Sequence, residues 1–115
     1  MNINESTAEI LRQIEEFMFS NLRNVWISDG IINIYIRKSK RMYKEQLFDF
    51  FDFASITVIQ PSNRGKGLFT NILNSFEKQY PSKNIFVESI VNDKLYKHLK
   101  NIGFDVIGDC AYKIK

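Results

Sequence analysis

The segment Arg64-Gly65-Lys66-Gly67-Leu68-Phe69 separates an apolar, β-rich run, Ile56-Thr57-Val58-Ile59, from an amphipathic helical pattern that begins at Leu68. That order commits the chain to a strand, a tight glycine turn and a helix in succession. Glycines at positions 65 and 67 let the main chain bend sharply and approach a ligand closely. The first-turn N–H groups of the following helix lack intrahelical partners and lie at the positive end of its dipole, so the turn suits an anion such as a phosphate. Arg64 and Lys66 add positive charge there. The spacing excludes two common phosphate loops. A Walker loop has four residues between its glycines and a Ser or Thr after its lysine, and a dinucleotide fingerprint needs a third glycine where this chain has Thr70.

The loop resembles the acyl-CoA loop of the GCN5-related N-acetyltransferases, whose pattern is Arg/Gln-x-x-Gly-x-Gly/Ala. Arg64, Gly65, Lys66, Gly67 and Leu68 fit it, and Phe69 stands where Gly or Ala is usual. A second similarity lies downstream, where Val91-Asn92 precedes a helical run ending in Ile102-Gly103-Phe104, with the family's step of eleven residues from Asn92 to Gly103. The resemblance covers about residues 54 to 108. It implies an α/β fold with a central mixed sheet flanked by helices on both faces, in which the strand before the loop and the strand after its helix splay apart. The pantetheine arm of acetyl-CoA would lie in that gap. By the resemblance, the main chain of Thr57, Val58 and Ile59 would hold the pantetheine and acyl carbonyl, the loop from Arg64 to Phe69 would hold the diphosphate, and Asn92 would face the pantetheine. Family members usually open with a strand and two helices, whereas here a single helix begins almost at once, so a version trimmed at the N-terminus is expected.

The pattern of the remaining chain agrees with such a sheet. Ser6-Thr7-Ala8-Glu9 reads as a capping box, followed by Ile10, Leu11, Ile14, Phe17, Met18 and Leu22 at helical spacing. Val25 to Ser28 and Ile31 to Ile36 flank Asp29-Gly30 as a hairpin. From Leu47 to Ile59 the chain is nearly continuous in apolar residues, as in a central strand covered on both faces. The change of parity between Phe48/Phe50 and Phe51/Phe53 predicts a bulge near Phe50-Phe51, with the strand starting about Phe51. Leu68, Phe69, Ile72, Leu73, Phe76 and Tyr80 line a helix ended by Pro81-Ser82. Ile85 to Val91 reads as the next strand, Asn92 or Asp93 as a cap, Leu95, Leu99 and Ile102 as a buried stripe, Gly103 as a C-cap, and Cys110 to Ile114 as the last strand.

At 115 residues, 44% hydrophobic and 25% charged, the chain makes one soluble domain spanning residues 1–115. No apolar run is long enough for a membrane span and the N-terminus lacks a signal-peptide pattern, so a cytoplasmic protein without a membrane partner is expected. One cysteine, Cys110, and one histidine, His98, offer no disulfide and no metal cluster. Residues 1–36 hold five acids against Arg12 and Arg23, a net −3, so the rest carries +6 of the total +3. Arg37, Lys38, Lys40, Arg41 and Lys44 concentrate that excess, either as a solvated hairpin connection, the favoured reading, or as a nucleic-acid or acidic-partner contact.

The function that follows from the resemblance is transfer of an acetyl group from acetyl-CoA to a primary amine of an acceptor that the sequence does not name, without a metal. The family's thiolate-protonating tyrosine lies four residues before Gly-Phe, and that position is Leu99. Tyr96 lies one turn earlier, about 60° around and ~4.5 Å along the axis, and is either the candidate acid, with a water as substitute, or an aromatic that packs at the helix surface. Glu88 is either the candidate base or one half of a structural pair with a nearby Lys or Arg, Asp52 is expected to sit in such a pair, and His98 is expected to be solvated. The alternative is a catalytically degenerate binding module that keeps the fold and recognises CoA, a protein or a nucleic acid. A homodimer stays open.

Overall fold

The computed structural model describes residues 2–90 and 92–115. In chain order they form α1 (Ile3–Phe19), β1 (Asn24–Ser28), β2 (Ile32–Tyr43), β3 (Gln46–Val58), a short 3-10 turn (Pro61–Asn63), α2 (Leu68–Gln79), β4 (Ile85–Val87), α3 (Asp93–Asn101), β5 (Asp105–Ile107) and β6 (Cys110–Lys113). The strands make one six-stranded sheet in the order β1-β2-β3-β4-β6-β5. Among the described residues only β3 and β4 pair in parallel, as the crossover through α2 requires. Strand β5 is absent from the sequence reading, because three residues before a Gly108-Asp109 turn carry too little pattern to register.

Helix α1 starts earlier than the Ser6 box implies. Its cap is Asn2, whose side chain accepts from the Glu5 amide at 2.8 Å while Glu5 reaches back to the Asn2 N–H. Asn caps at least as well as Ser, and Glu5 stands at the position a capping box needs. Ser6 is buried and donates instead to the Asp29 carboxylate, tying the helix to the first hairpin. Burial acts to raise the pKa of Asp29, but hydrogen bonds from Ser6, Ile32 and Ile31 outweigh it and hold the carboxyl below its usual range.

The long β2–β3 hairpin corrects two expectations. Its turn is Lys44-Glu45, both at positive φ (47° and 68°) as a tight two-residue turn demands, so Arg37 to Arg41 lie within a strand and not in a loop. Strand β3 runs unbroken through Phe50-Phe51, since both parities there are buried, Phe50 on one face and Phe51 on the other. The register shift lies further on, where Tyr35 pairs with Ser55 and Ile36 with Phe53, leaving Ala54 as the extra residue. Before this bulge Phe51 and Phe53 face the helices, and after it Ile56 and Val58 do.

The flanking by helices is one-sided. Ile10, Ile14 and Phe17 of α1, Leu68 to Phe76 of α2 and Leu99 of α3 join one cluster with Ile32, Ile34, Ile36, Phe51, Phe53, Ile85, Val87 and Ala111. Two right-handed crossovers stepping the same way across a sheet put their helices on the same face, which places α2 and α3 together. At the centre Phe76 meets Phe51 at 4.7 Å and Phe53 at 5.4 Å between ring centroids. The opposite face carries Phe50, Phe86 and Tyr112, which contact one another, and a charged group in which Asp52 is wholly buried. Asp52 accepts from Ser39 Oγ at 2.7 Å, Arg41 Nη2 at 2.8 Å and Arg37 Nε at 3.2 Å, the partners a buried carboxylate requires.

Between α2 and the end of β6, Glu77 accepts from Lys113 and Lys115, each at 2.8 Å. Burial acts to raise its pKa, but the two ammonium groups outweigh it and hold the carboxyl below the ordinary 4.5. A carboxyl depressed in the folded state stabilises it fully above the unfolded value and ceases to do so as pH falls through the lower folded value. The stability gap between the native protein and Glu77→Gln should therefore be widest at neutral pH and close as pH drops below about 4.5, followed by urea unfolding at several pH values. Phe76→Ala should cost about 3–5 kcal/mol by the same method, because it empties the ring-packed centre of the core.

Candidate functional site

Strands β3 and β4 pair only from Phe51–Ile85 to Phe53–Val87, with a last bond from the Glu88 N–H to the Phe53 carbonyl at 3.0 Å. The two chains then separate. On one side the Ala54 bulge turns β3; on the other Ser89 adopts a left-handed φ of 58° and the Ile90 N–H bonds to the Asp109 carbonyl at 2.8 Å. This shortens the strand expected over 85–91 to Ile85–Val87, and Val91 itself lies outside the described residues. Between the separated chains lies a cleft of about 300 Å³, walled by Ile56 and Val58, the turn from Gly65 to Thr70, Glu88 to Ile90, and Asn92 and Leu95.

The antiparallel ladder decides which main-chain groups face this cleft. The Ile59 N–H bonds to the Ile31 carbonyl at 2.7 Å, so by alternation residues 55, 57 and 59 direct their main-chain groups toward β2. Residues 56 and 58 direct theirs away from β2, toward the gap where β4 would have continued. Of the expected trio, the structure therefore brings Val58 to the cleft and turns Thr57 and Ile59 away, and it adds Ile56. The missed signal is the bulge, which shifts the parity by one residue.

At the mouth of the cleft Gly65 and Gly67 have φ of 72° and 76°, and a Cβ on either would meet nothing within 4 Å. Glycine is needed there for the left-handed backbone and not for close packing. Gly67 is the N-cap of α2 with no side chain capping it, so first-turn amides of α2 point outward without a side-chain acceptor. The Phe69 ring turns into the core, 5.4 Å from Phe53 between centroids, while the residue also forms part of the cleft wall. Lys66 is exposed on the same turn; Arg64 lies outside the cleft lining, its Nε donating to the Val58 carbonyl at 3.3 Å.

The remaining candidates fall as follows. Asn92 lines the cleft and caps α3, its side chain accepting from Lys94 and Leu95 amides at 2.8 and 3.1 Å. Glu88 lines the cleft at the base of the gap, with both carboxylate oxygens 3.3 Å from Arg37 Nη2. Tyr96 is not in the cleft lining: it packs against the helix-face core with the Lys100 ammonium 4.9 Å from its ring centre. Leu99 is fully buried and cannot serve the cleft. His98, expected to be solvated, is half-buried, and its Nε2 is a buried atom without a partner among the described residues. Among the described residues no group of His, Cys, Asp or Glu gathers as a metal site, and no helix is long and apolar enough to cross a membrane.

The mixed sheet with its flanking helices matches the fold that the sequence resemblance implied, and the likeness to solved structures is one of fold. A solved structure of a point mutant of the AtaT toxin, bound to acetyl-CoA and the C-terminus of the antitoxin AtaR, aligns with a TM-score of 0.51 at 15% identity over 72% of this chain and 57% of that one. The chain thus spans just over half the length of the AtaT chain that it matches. The same AtaT mutant bound to the AtaR C-terminus gives 0.49 at 17% identity over 72% and 57%, and a KacTA–DNA complex gives 0.49 at 13% over 95% and 79%. No family model matches the sequence, and no curated protein matches it.

Because φ at Gly67 and not packing sets the requirement, Gly67→Ala should destabilise the fold by about 1–2 kcal/mol without a new steric contact. Equilibrium urea unfolding of the variant checks this, with Gly65→Ala as its parallel.

Proposed function

We propose that the protein binds acetyl-CoA in the gap between β3 and β4 and transfers the acetyl group to a primary amine. The observation that supports this best is the juxtaposition of a strand edge without a strand partner, at Ile56 and Val58, with the uncapped start of α2. The first suits the amides of a pantetheine arm as an added strand would; the second suits a diphosphate. In this reading Leu68, Phe69 and Thr70 amides hold the diphosphate, Gly65 and Gly67 shape the turn, and Lys66 and Arg64 screen the charge. AtaT, which shares the fold, was solved with acetyl-CoA, and this supports the same ligand class here.

In such a transfer a neutral amine attacks the thioester carbonyl, the C–N bond forms as the C–S bond breaks, and the amine's surplus proton must leave. Glu88 is the carboxylate at the cleft that can take it, directly or through water. Tyr96 is the candidate donor to the thiolate only if α3 shifts, so a water is the better donor in the observed arrangement. That same absence of a tyrosine from the lining favours a second reading, a CoA-binding module without turnover.

Acetyl-CoA at about a hundred times its dissociation constant should add roughly 2.7 kcal/mol to the folded state, read as a rise in melting temperature. Lys66→Glu should weaken that binding about tenfold while leaving the unliganded melting temperature unchanged, since its side chain is exposed. No rise at millimolar acetyl-CoA would reject both readings. Binding without CoA release against a panel of primary amines would favour the module.

A further inference from the structure

No residue of the basic run from Arg37 to Lys44 lines the cleft, which the run meets only through the bond of Arg37 to Glu88, yet the fold adds to this run. At the other end of the sheet, past the last turn of α1, a cavity of about 310 Å³ is lined by Arg23, Lys38, Lys40 and Lys83, with Phe51 in its wall and Asp49 as its acid. These cations come from three separate stretches of sequence. The Arg23 carbonyl accepts from the Lys38 amide at 2.8 Å, which sets Arg23 beside β2. Lys83 is brought in by its neighbour Asn84, whose carbonyl accepts from the Phe51 N–H at 2.9 Å and whose Nδ2 donates to the Asp49 carbonyl at 3.0 Å.

The charges are unbalanced and partly fixed in place. Lys38 Nζ donates to the Ser20 carbonyl at the end of α1 at 2.9 Å and stands 4.4 Å from the centre of the Phe17 ring, so its position is set before any ligand arrives. Asp49 is engaged by Lys40 at 3.5 Å and its side chain is 81% exposed. Four cations less one carboxylate leave +3 around one cavity.

We infer that this cavity binds a phosphate-bearing anion, at a site separate from the cleft. Ammonium groups lining one cavity suit the many oxygens of a phosphoryl group, and a guanidinium such as that of Arg23 can meet two of them at once. The cavity and the cleft share no lining residue. The phosphate can be that of a small free anion or of a nucleic-acid backbone, and the test separates them.

Uniformly 15N-labelled protein is titrated with pyrophosphate and, in parallel, with a single-stranded oligonucleotide. The expected result is movement of the Lys38–Lys40, Lys83 and Asn84 amide signals, and a loss of affinity of about tenfold or more in the double variant Arg23→Glu, Lys83→Glu. Both side chains are exposed, and an unchanged melting temperature shows the variant intact. Pyrophosphate moving these signals identifies a small phosphate; the oligonucleotide alone doing so, with affinity falling as salt rises, identifies a phosphodiester backbone. The inference is overturned if neither ligand moves them at millimolar concentration, if only Gly65 to Thr70 respond, or if the double variant binds as the native protein does.

Discussion

Everything distinctive in this structure depends on β3 and β4 ceasing to pair after Phe53. Two local events produce the separation: an extra residue at Ala54 turns one strand, and the left-handed Ser89 turns the other toward the β5–β6 hairpin. Each leaves main-chain groups that an ordinary sheet would have satisfied across the gap. Main-chain groups that lose a strand partner need another, and the Val58 carbonyl takes one from Arg64 Nε. The bulge has a second effect, because it also changes which parity faces the helices and so delivers Ile56 and Val58, in place of Thr57 and Ile59, to the cleft side.

The sheet's two faces solve burial differently. One is covered by three helices whose apolar stripes merge into a single aromatic-rich core. The other closes itself with its own side chains: Arg41 stacks over Phe86 at 3.9 Å, Tyr112 packs on Phe50 and Phe86, and Arg37 and Arg41 enclose Asp52. Arginine suits this role because its planar group lies flat on a ring while its edge binds carboxylate. The same arrangement reaches the cleft through Arg37, which spans Asp52 and Glu88. Glu88 thus belongs to a structural ion pair and to the cleft wall at once.

Much of this was legible in the residues. The strand, glycine turn and helix at the loop, the apolar stripe of α2, the Asn92 cap and the end of α3 at Gly103 all follow from local hydrogen bonding and periodicity. At that end the Gly103 and Phe104 amides bond to the Lys100 and Leu99 carbonyls. The fold class was legible as well. Misread were features that depend on alignment between distant segments: the bulge placed at Phe50-Phe51, the helices assigned to both faces, and the solvated His98. Two apolar parities in one strand look like a bulge locally, whereas here both faces of the sheet are buried.

By itself the sequence determined which segments become helix, strand and turn, because those properties are settled within a few residues of chain. Tertiary structure alone decided which groups meet. Strand register chose Val58 over its neighbours, the rotation of α3 placed Leu99 in the core and Tyr96 away from the cleft, and chain crossing gathered Arg23 and Lys83 around the basic strand. Those outcomes turn on half a turn of helix or one residue of register, and only packing between elements remote in sequence resolves differences of that size.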